Sequence, residues 1–124
     1  MSTLDFVQKK QSGQKITMVT CYDATFARIL AKTSVDCLLV GDSLAMVCHG
    51  FDNTLMATTE MMTLHTAAVV RGAPKKFVVA DMPFLTFRKG INVAMDAVEK
   101  LMQAGASAVK LENIEGHEDV VSHI

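Results

Sequence analysis

Residues 37–46, CLLVGDSLAM, decide the fold. Four apolar or small residues lead directly into a glycine, an aspartate and a serine, a pattern typical of a buried parallel strand that brings a functional group to the edge of its sheet. The pattern recurs where FVVAD ends at Asp81 and AVKLE ends at Glu112. We therefore predict that Asp42, Asp81 and Glu112 lie at the ends of three strands.

Extended and helical patterns alternate on both sides of this stretch. Strands are predicted over residues 16–22, 37–41, 77–81 and 106–112. Helices are predicted over residues 3–13, 24–32, 58–72 and 92–104, and a further helix begins within residues 113–124. Because this alternation requires parallel strands with right-handed crossovers, the sequence predicts an α/β fold with all strand C-termini on one edge.

Composition narrows the classes of function. The chain has 124 residues, half of them hydrophobic, and a net charge of -1, so residues 1–124 are expected to form one domain or a piece of one. The near-zero charge argues against nucleic-acid partners and anionic membranes. The apolar runs are short and lack a basic leader, which indicates neither a signal peptide nor a membrane span. The number of cysteines is odd and two of them lie in predicted strands, which favours reduced thiols and therefore a cytoplasmic location.

Two of the acids need a partner other than a helix. Asp23 follows the first strand and is interpreted as the cap of the next helix, as Thr3 is for the first helix. Asp42 is too far from the helix near residue 58 to cap it, and a loop containing Pro83 follows Asp81. Carboxylates crowded at one edge repel each other, and a hard divalent cation such as Mg²⁺ relieves the repulsion.

Other polar residues have competing interpretations. Lys110 shares a strand face with Glu112 and is expected to bind an anionic substrate, the alternative being a surface ion pair. Ser43 is either a ligand-binding hydroxyl or an ordinary turn serine. His65 is interpreted as a packed helical histidine, because no second histidine stands at the spacing of a metal site. The lysine pair at Lys9 and Lys10 is interpreted as solvated surface.

Four segments spread over nearly the whole chain resemble a known family. They are TCYDATFARI, VGDSLAMVCHGFDNTL, HTAAVVRGAPKKFVVADMPF and MQAGASAVKLEN. In their order, spacing and residue identity these segments are similar to ketopantoate hydroxymethyltransferase. The resemblance implies a (β/α)₈ TIM barrel that binds Mg²⁺ and transfers a one-carbon unit from 5,10-methylenetetrahydrofolate to 3-methyl-2-oxobutanoate. It also implies a homo-oligomer whose partners are small molecules.

The family's site residues carry over to matching positions. The aspartates of VGDS and ADMPF, here Asp42 and Asp81, are implied to bind the metal and contact the substrate. The resemblance assigns Ser43 and Lys110 to the keto acid and Glu112 to the metal. An α-keto acid chelated by the metal loses its neighbouring proton more easily, and Lys110 would stabilise the resulting enolate.

The chain departs from the family in two ways. Ala45 stands where the family usually has glycine. Family members are about twice as long, and their second half carries four more strands and the glutamate regarded as the proton acceptor. We therefore expect this chain to be a fragment with the first four βα units, or to need a complementary piece because open strand edges favour association. The general base is accordingly expected to lie beyond Ile124, and no residue of this chain is predicted to fill that role.

Three alternatives remain from the sequence. A Mg²⁺-dependent carbon-carbon lyase or mutase of the isocitrate lyase and phosphoenolpyruvate mutase type also places carboxylates at barrel strand ends. A receiver-like binding module of the flavodoxin type gathers acids, Mg²⁺ and a lysine in a chain of similar length. A catalytically inactive truncated homologue with an interaction role is the third.

Overall fold

The computed structural model describes residues 2–124 and contains one parallel sheet. Its strands are β1 (Met18–Thr20), β2 (Cys37–Val40), β3 (Phe77–Asp81) and β4 (Ala108–Lys110). Each strand pairs in parallel with the next in sequence, giving the order β1-β2-β3-β4. This sequential order is that of a (β/α)₈ barrel and confirms the predicted fold class. The receiver-like alternative is wrong, because flavodoxin-like sheets have the order 2-1-3-4-5.

Helices occupy most of the segments between the strands. They are α1 (Thr3–Gln11), α2 (Ala24–Leu30), α3 (Leu44–Val47), α4 (Thr59–Gly72), α5 (Ile91–Gln103) and α6 (Glu118–His123), with 3₁₀ turns at Thr54–Met56 and Thr86–Lys89. The longer helices agree with the predictions to within two residues at each end. Sequence analysis missed α3, because a single turn is too short to show a helical period. None of the helices in residues 2–124 combines the length and apolar character needed to cross a bilayer.

The helix predicted to begin within residues 113–124 is α6. It forms one and a half turns after the fourth strand, and Ile124 is its C-cap residue. The backbone N–H of Ile124 donates a hydrogen bond of 3.1 Å to the backbone oxygen of Val120, which is buried in the core. A helix therefore follows β4, in agreement with the predicted order of elements.

The outer strands are shorter than predicted. Within the described chain, β1 and β4 each pair on one side only, whereas β2 and β3 pair on both. β4 ends at Lys110, so Glu112 lies in the segment after the strand and not within it. The expectation that Lys110 and Glu112 share a strand face is therefore wrong, although their side chains do meet.

Capping side chains begin several helices. Asp23 is the N-cap of α2, and its Oδ1 accepts hydrogen bonds from the N–H groups of Thr25 at 2.7 Å and Phe26 at 2.9 Å, as predicted. The cap of α1 is Ser2 and not Thr3, because the Ser2 N–H donates to Asp5 Oδ2 at 2.6 Å. These bonds satisfy amide groups that have no partner inside the helix.

The two central strands, β2 and β3, are buried on both faces, whereas the residues of β1 are exposed. Alternate residues of β2 and β3 face α4 and α5, where the core contains Leu38, Val40, Val78, Ala80, Met62, Val69, Ala97 and Leu101. The intervening residues Cys37, Phe77 and Val79 form a second cluster with Phe6 of α1. The rings of Phe6 and Phe77 meet edge to face with centroids 4.9 Å apart. The N-terminal helix is thus anchored on the face opposite to α4 and α5.

A buried ion pair ties α1 to the start of β2. Asp36 is only 5% exposed, and its Oδ1 lies 2.5 Å from Lys9 Nζ. Its Oδ2 accepts hydrogen bonds from Thr17, at 2.8 Å from the backbone N–H and 3.0 Å from the hydroxyl. The interpretation of Lys9 as solvated surface is therefore wrong. The Lys9 hydrogen bond, followed by that of the Thr17 N–H, lowers the pKa of Asp36 from 3.8 to about 2.

We expect this ion pair to make the fold sensitive to acid. The pKa of Asp36 is about 2 in the folded chain, compared with an ordinary value of 3.8. Its contribution to the free energy of unfolding is therefore complete above about pH 4 and is lost as the pH falls through about 2. Urea unfolding of wild type and Asp36→Asn should show a stability difference that is constant near neutrality and shrinks between these limits. A difference independent of pH contradicts this role for the carboxylate.

Candidate active site

Four of the five predicted site residues line one pocket. The pocket has a volume of about 450 Å³ and lies where the chain leaves the C-terminal ends of β2, β3 and β4. Its wall includes Asp42, Asp81, Lys110 and Glu112. These residues are distant in sequence and converge because parallel strands present their C-terminal ends on one edge. The predicted convergence at the strand ends is therefore present in the fold.

Asp81 is the most buried of these carboxylates, with 5% exposure. Its Oδ1 lies 2.8 Å from Lys110 Nζ, and its Oδ2 accepts a hydrogen bond of 3.2 Å from the backbone N–H of Asp42. The register of β3 and β4 places Asp81 directly opposite Lys110. Strand pairing therefore positions both charges before any ligand is bound.

Lys110 lies between two carboxylates. Its Nζ is also 2.5 Å from Oε1 of Glu112, whose side chain is 74% exposed. Burial acts to lower the pKa of Lys110, but hydrogen bonds and charge from Asp81 and Glu112 outweigh it and raise the pKa. The same hydrogen bond and charge lower the pKa of Glu112. Lys110 is therefore a cation at neutral pH and Glu112 an anion.

Asp42 is in an environment that disfavours its charge. Burial, followed by the nearby charge of Asp81, raises its pKa; Glu112 adds to the rise and Lys110 opposes it. The preceding glycine allows this close approach, since a Cβ at Gly41 would lie 3.0 Å from Ser43 Oγ and 3.5 Å from Asp81 Oδ2. A cation bound in the pocket would offset both burial and repulsion at Asp42.

Ser43 is held by a residue that sequence analysis did not select. The hydroxyl of Tyr22 lies 2.8 Å from Ser43 Oγ, at hydrogen-bonding distance. Tyr22 follows β1 as Asp42 follows β2, and this shared position at a strand end was the signal available in the sequence. The structure thus links the ends of the first two strands through two hydroxyl groups.

The wall of the pocket includes a further contact that sequence analysis did not predict. Arg88 Nη2 donates a hydrogen bond of 2.5 Å to the backbone oxygen of Asn113, and both residues line the pocket. Leu85 and Asn113 have positive φ angles of 59° and 55°, a region that asparagine tolerates better than leucine. The Arg88 bond thus joins the loop after β3 to the loop after β4.

The carboxylate oxygens of the pocket are suited to a hard cation that retains several coordinated water molecules. Within residues 2–124, no cluster of three or more histidine, cysteine or acidic side chains is arranged to hold a metal ion. Lys110 lies between Asp81 and Glu112, while Asp42 and Asp81 line the same pocket with oxygen donors. Mg²⁺ commonly uses one or two carboxylates together with water and substrate oxygens. The ligand assignment of Asp42, Asp81 and Glu112 stays a prediction.

Solved structures share this fold at low sequence identity. A 2,3-dimethylmalate lyase, a PEP mutase/isocitrate lyase superfamily member, aligns with a TM-score of 0.65 and 19% identity over 86% of this chain and 38% of its own. Phosphoenolpyruvate phosphomutase from Streptomyces platensis subsp. rosaceus aligns with a TM-score of 0.69 and 15% identity over 88% of this chain and 37% of its own. At these identities the likeness concerns the fold alone.

Sequence relatives are much more similar. The 3-methyl-2-oxobutanoate hydroxymethyltransferase of Bdellovibrio bacteriovorus is 57% identical over 121 residues, which are 98% of this chain and 46% of the relative. That of Coxiella burnetii is 55% identical over 117 residues, 94% of this chain and 44% of the relative. The chain therefore spans just under half the length of these curated relatives. The family model for ketopantoate hydroxymethyltransferase matches residues 1–124, and the chain belongs to that family.

Proposed function

We propose that this chain supplies the keto-acid and Mg²⁺ site of an enzyme that transfers a hydroxymethyl group from 5,10-methylenetetrahydrofolate to 3-methyl-2-oxobutanoate. The product is 2-dehydropantoate, a precursor of pantothenate. The observation that supports this proposal most directly is the convergence of Asp42, Asp81, Lys110 and Glu112 on one pocket, in a chain that belongs to the ketopantoate hydroxymethyltransferase family.

The acidic residues of the pocket would hold Mg²⁺. We propose Asp42, Asp81 and Glu112 as its oxygen ligands, with water and the keto acid at the remaining positions. When bound, Mg²⁺ supplies Lewis acidity that eases removal of the proton next to the keto group. A phosphonopyruvate hydrolase with the same fold (TM-score 0.69, 14% identity, 88% of this chain and 38% of its own) was solved in complex with oxalate and Mg²⁺. This is consistent with a small oxyacid in the pocket.

Lys110 would provide the positive charge for the organic substrate. Its raised pKa keeps it an ammonium group, so it binds the carboxylate of the keto acid and stabilises negative charge on the enolate oxygen. A protonated lysine cannot also accept the substrate proton. The placement of that proton acceptor beyond Ile124, in the half of the relatives that this chain does not match, stays a prediction.

Ser43 and Tyr22 would orient the same substrate. Their hydroxyl groups are 2.8 Å apart, so Ser43 can accept a hydrogen bond from Tyr22 and donate its own hydrogen to a substrate oxygen. A hydroxyl whose rotation is restricted in this way loses less entropy when the substrate binds. We propose that Ser43 binds the keto acid and that Tyr22 positions Ser43.

The chain also has apolar surface available for further protein contacts. Phe26 of α2 is 62% exposed and Val47 of α3 is 67% exposed, and a contact between subunits at either residue would bury apolar surface. We propose that the chain acts in the cytoplasm within a homo-oligomer. Sedimentation velocity of the purified protein measures the oligomeric state directly.

Calorimetric titration with 3-methyl-2-oxobutanoate tests the proposed site. We expect binding that requires Mg²⁺ and that weakens about tenfold to a hundredfold in Lys110→Met, since a hydrogen bond to a charged group is lost. Lys100→Met is the matched control, because Lys100 is 52% exposed and pairs with the exposed Glu60. Equal binding with and without Mg²⁺, or by wild type and Lys110→Met, contradicts the proposed function. Thermal melts of each variant report whether the fold is retained.

A further inference from the structure

Two histidines form a close pair outside the carboxylate pocket. His49 lies in the turn after α3 and His65 lies within α4, and their Nε2 atoms are 3.0 Å apart. The two rings meet nearly at right angles with centroids 5.2 Å apart. The interpretation of His65 as an isolated helical histidine is therefore incomplete. Its partner is 16 residues away in sequence, outside the short spacings by which paired ligands on one helix are recognised.

Hydrogen bonding orients the ring of His65. Its Nδ1 lies 2.6 Å from the backbone oxygen of Tyr22, and a carbonyl can only accept, so Nδ1 carries the hydrogen. In the neutral ring this leaves a lone pair on Nε2, directed towards His49. A histidine whose second nitrogen donates to a carbonyl is the usual arrangement of a metal ligand, because that bond sets both the tautomer and the ring orientation.

His49 is accessible to ions from solvent. The residue is exposed, whereas His65 is half-buried. The His49 ring stacks on Phe51 with an interplanar angle of 22° and a centroid distance of 6.5 Å. This contact orients the imidazole without using either nitrogen. In the neutral pair His49 donates from Nε2 to His65, and moving that hydrogen to Nδ1 leaves both Nε2 atoms free to coordinate.

We propose that His49 and His65 form a chelate site for a borderline divalent transition-metal ion. Because the His65 lone pair now points at His49 Nε2, the exposed His49 ring has to turn so that both nitrogens can lie about 2.0–2.1 Å from the ion. Imidazole nitrogens suit Ni²⁺ and Cu²⁺, and either ion can take two histidines at neighbouring positions. Water occupies the remaining positions.

The histidine site differs in chemistry from the carboxylate pocket. Neither histidine lines that pocket. Imidazole nitrogen favours nickel, copper and zinc, while carboxylate oxygen favours Mg²⁺. The carbonyl that orients His65 belongs to Tyr22, whose own hydroxyl contacts Ser43. Metal at the histidine pair therefore lies beside the residue that positions the proposed substrate ligand.

Calorimetric titration of the purified chain with Ni²⁺, in the presence of excess Mg²⁺, tests this site. We expect one Ni²⁺ per chain and a loss of affinity of about tenfold or more in His49→Gln and in His65→Gln. His49 is exposed, so its variant is expected to fold normally. His123→Gln removes an exposed histidine elsewhere and should leave binding unchanged.

Two further measurements separate this site from the acidic pocket. Bound Ni²⁺ should broaden the ring proton resonances of His49 and His65 and spare those of His123. Asp42→Asn should retain Ni²⁺ binding. If His49→Gln binds Ni²⁺ as tightly as wild type, or if Asp42→Asn abolishes binding while His49→Gln does not, the proposed histidine site is wrong.

Discussion

Asp81→Asn is expected to weaken Mg²⁺-dependent binding of 3-methyl-2-oxobutanoate by about a hundredfold or more. The substitution keeps the shape of the side chain and removes the charge that is placed opposite Lys110 by strand pairing. Both the metal and the ammonium group lose a partner, so the effect should exceed that of any other single change in the pocket. Calorimetric titration with Mg²⁺ and the keto acid measures both losses.

The fold should survive this substitution. Asparagine retains a carbonyl oxygen to accept the hydrogen bond from the Asp42 N–H, at present 3.2 Å long. Lys110 keeps Glu112 and is 33% exposed, so water can solvate its charge. Asp23→Asn is the matched control, because it removes a carboxylate that also follows a strand but serves as a helix cap, a role asparagine fills equally well. Unchanged ligand binding in Asp81→Asn would rule out the proposed site.

Gly72→Ala is expected to destabilise the chain by about 2–3 kcal/mol. Alanine normally stabilises a helix by about 0.5–1 kcal/mol relative to glycine. At Gly72 this gain is outweighed, because an added Cβ would lie 2.5 Å from the backbone oxygen of Ala24 and 2.7 Å from Ala27 Cβ. These atoms cannot rotate away, so α2 and α4 must separate.

Urea unfolding measures the effect of Gly72→Ala. The matched control is Arg71→Ala, which changes the neighbouring exposed residue of α4 and should alter stability by less than about 0.5 kcal/mol. A stability increase in Gly72→Ala would mean that helix propensity prevails and that α2 does not approach α4 as closely as described. Circular dichroism distinguishes loss of stability from loss of fold.

Sequence patterns were sufficient for the features that depend on local order and strand direction. The alternation of strands and helices indicated parallel pairing, and parallel pairing implied that Asp42, Asp81 and Glu112 approach one edge. The cap at Asp23 was predictable for a similar reason, since its hydrogen bonds reach only two and three residues along the chain.

Contacts between side chains distant in sequence were not predictable. The contact of Lys110 with Glu112, two residues away, was one of the alternatives considered, but its contact with Asp81 depended on the β3–β4 register. The hydrogen bond between Tyr22 and Ser43 likewise depends on how two strand ends are juxtaposed. A single sequence has no periodicity that reports such contacts.

The two ends of β2 carry charges with different roles. Asp36 precedes the strand and pairs with Lys9, while Asp42 follows it and faces the pocket. Asp42 is six positions beyond Asp36, about 20 Å of extended chain, and the groups that shift the pKa of Asp36, Lys9 and Thr17, are different from those that shift the pKa of Asp42. The two carboxylates therefore titrate almost independently, and substitutions that alter acid tolerance at one end can be combined with substitutions that alter ligand binding at the other.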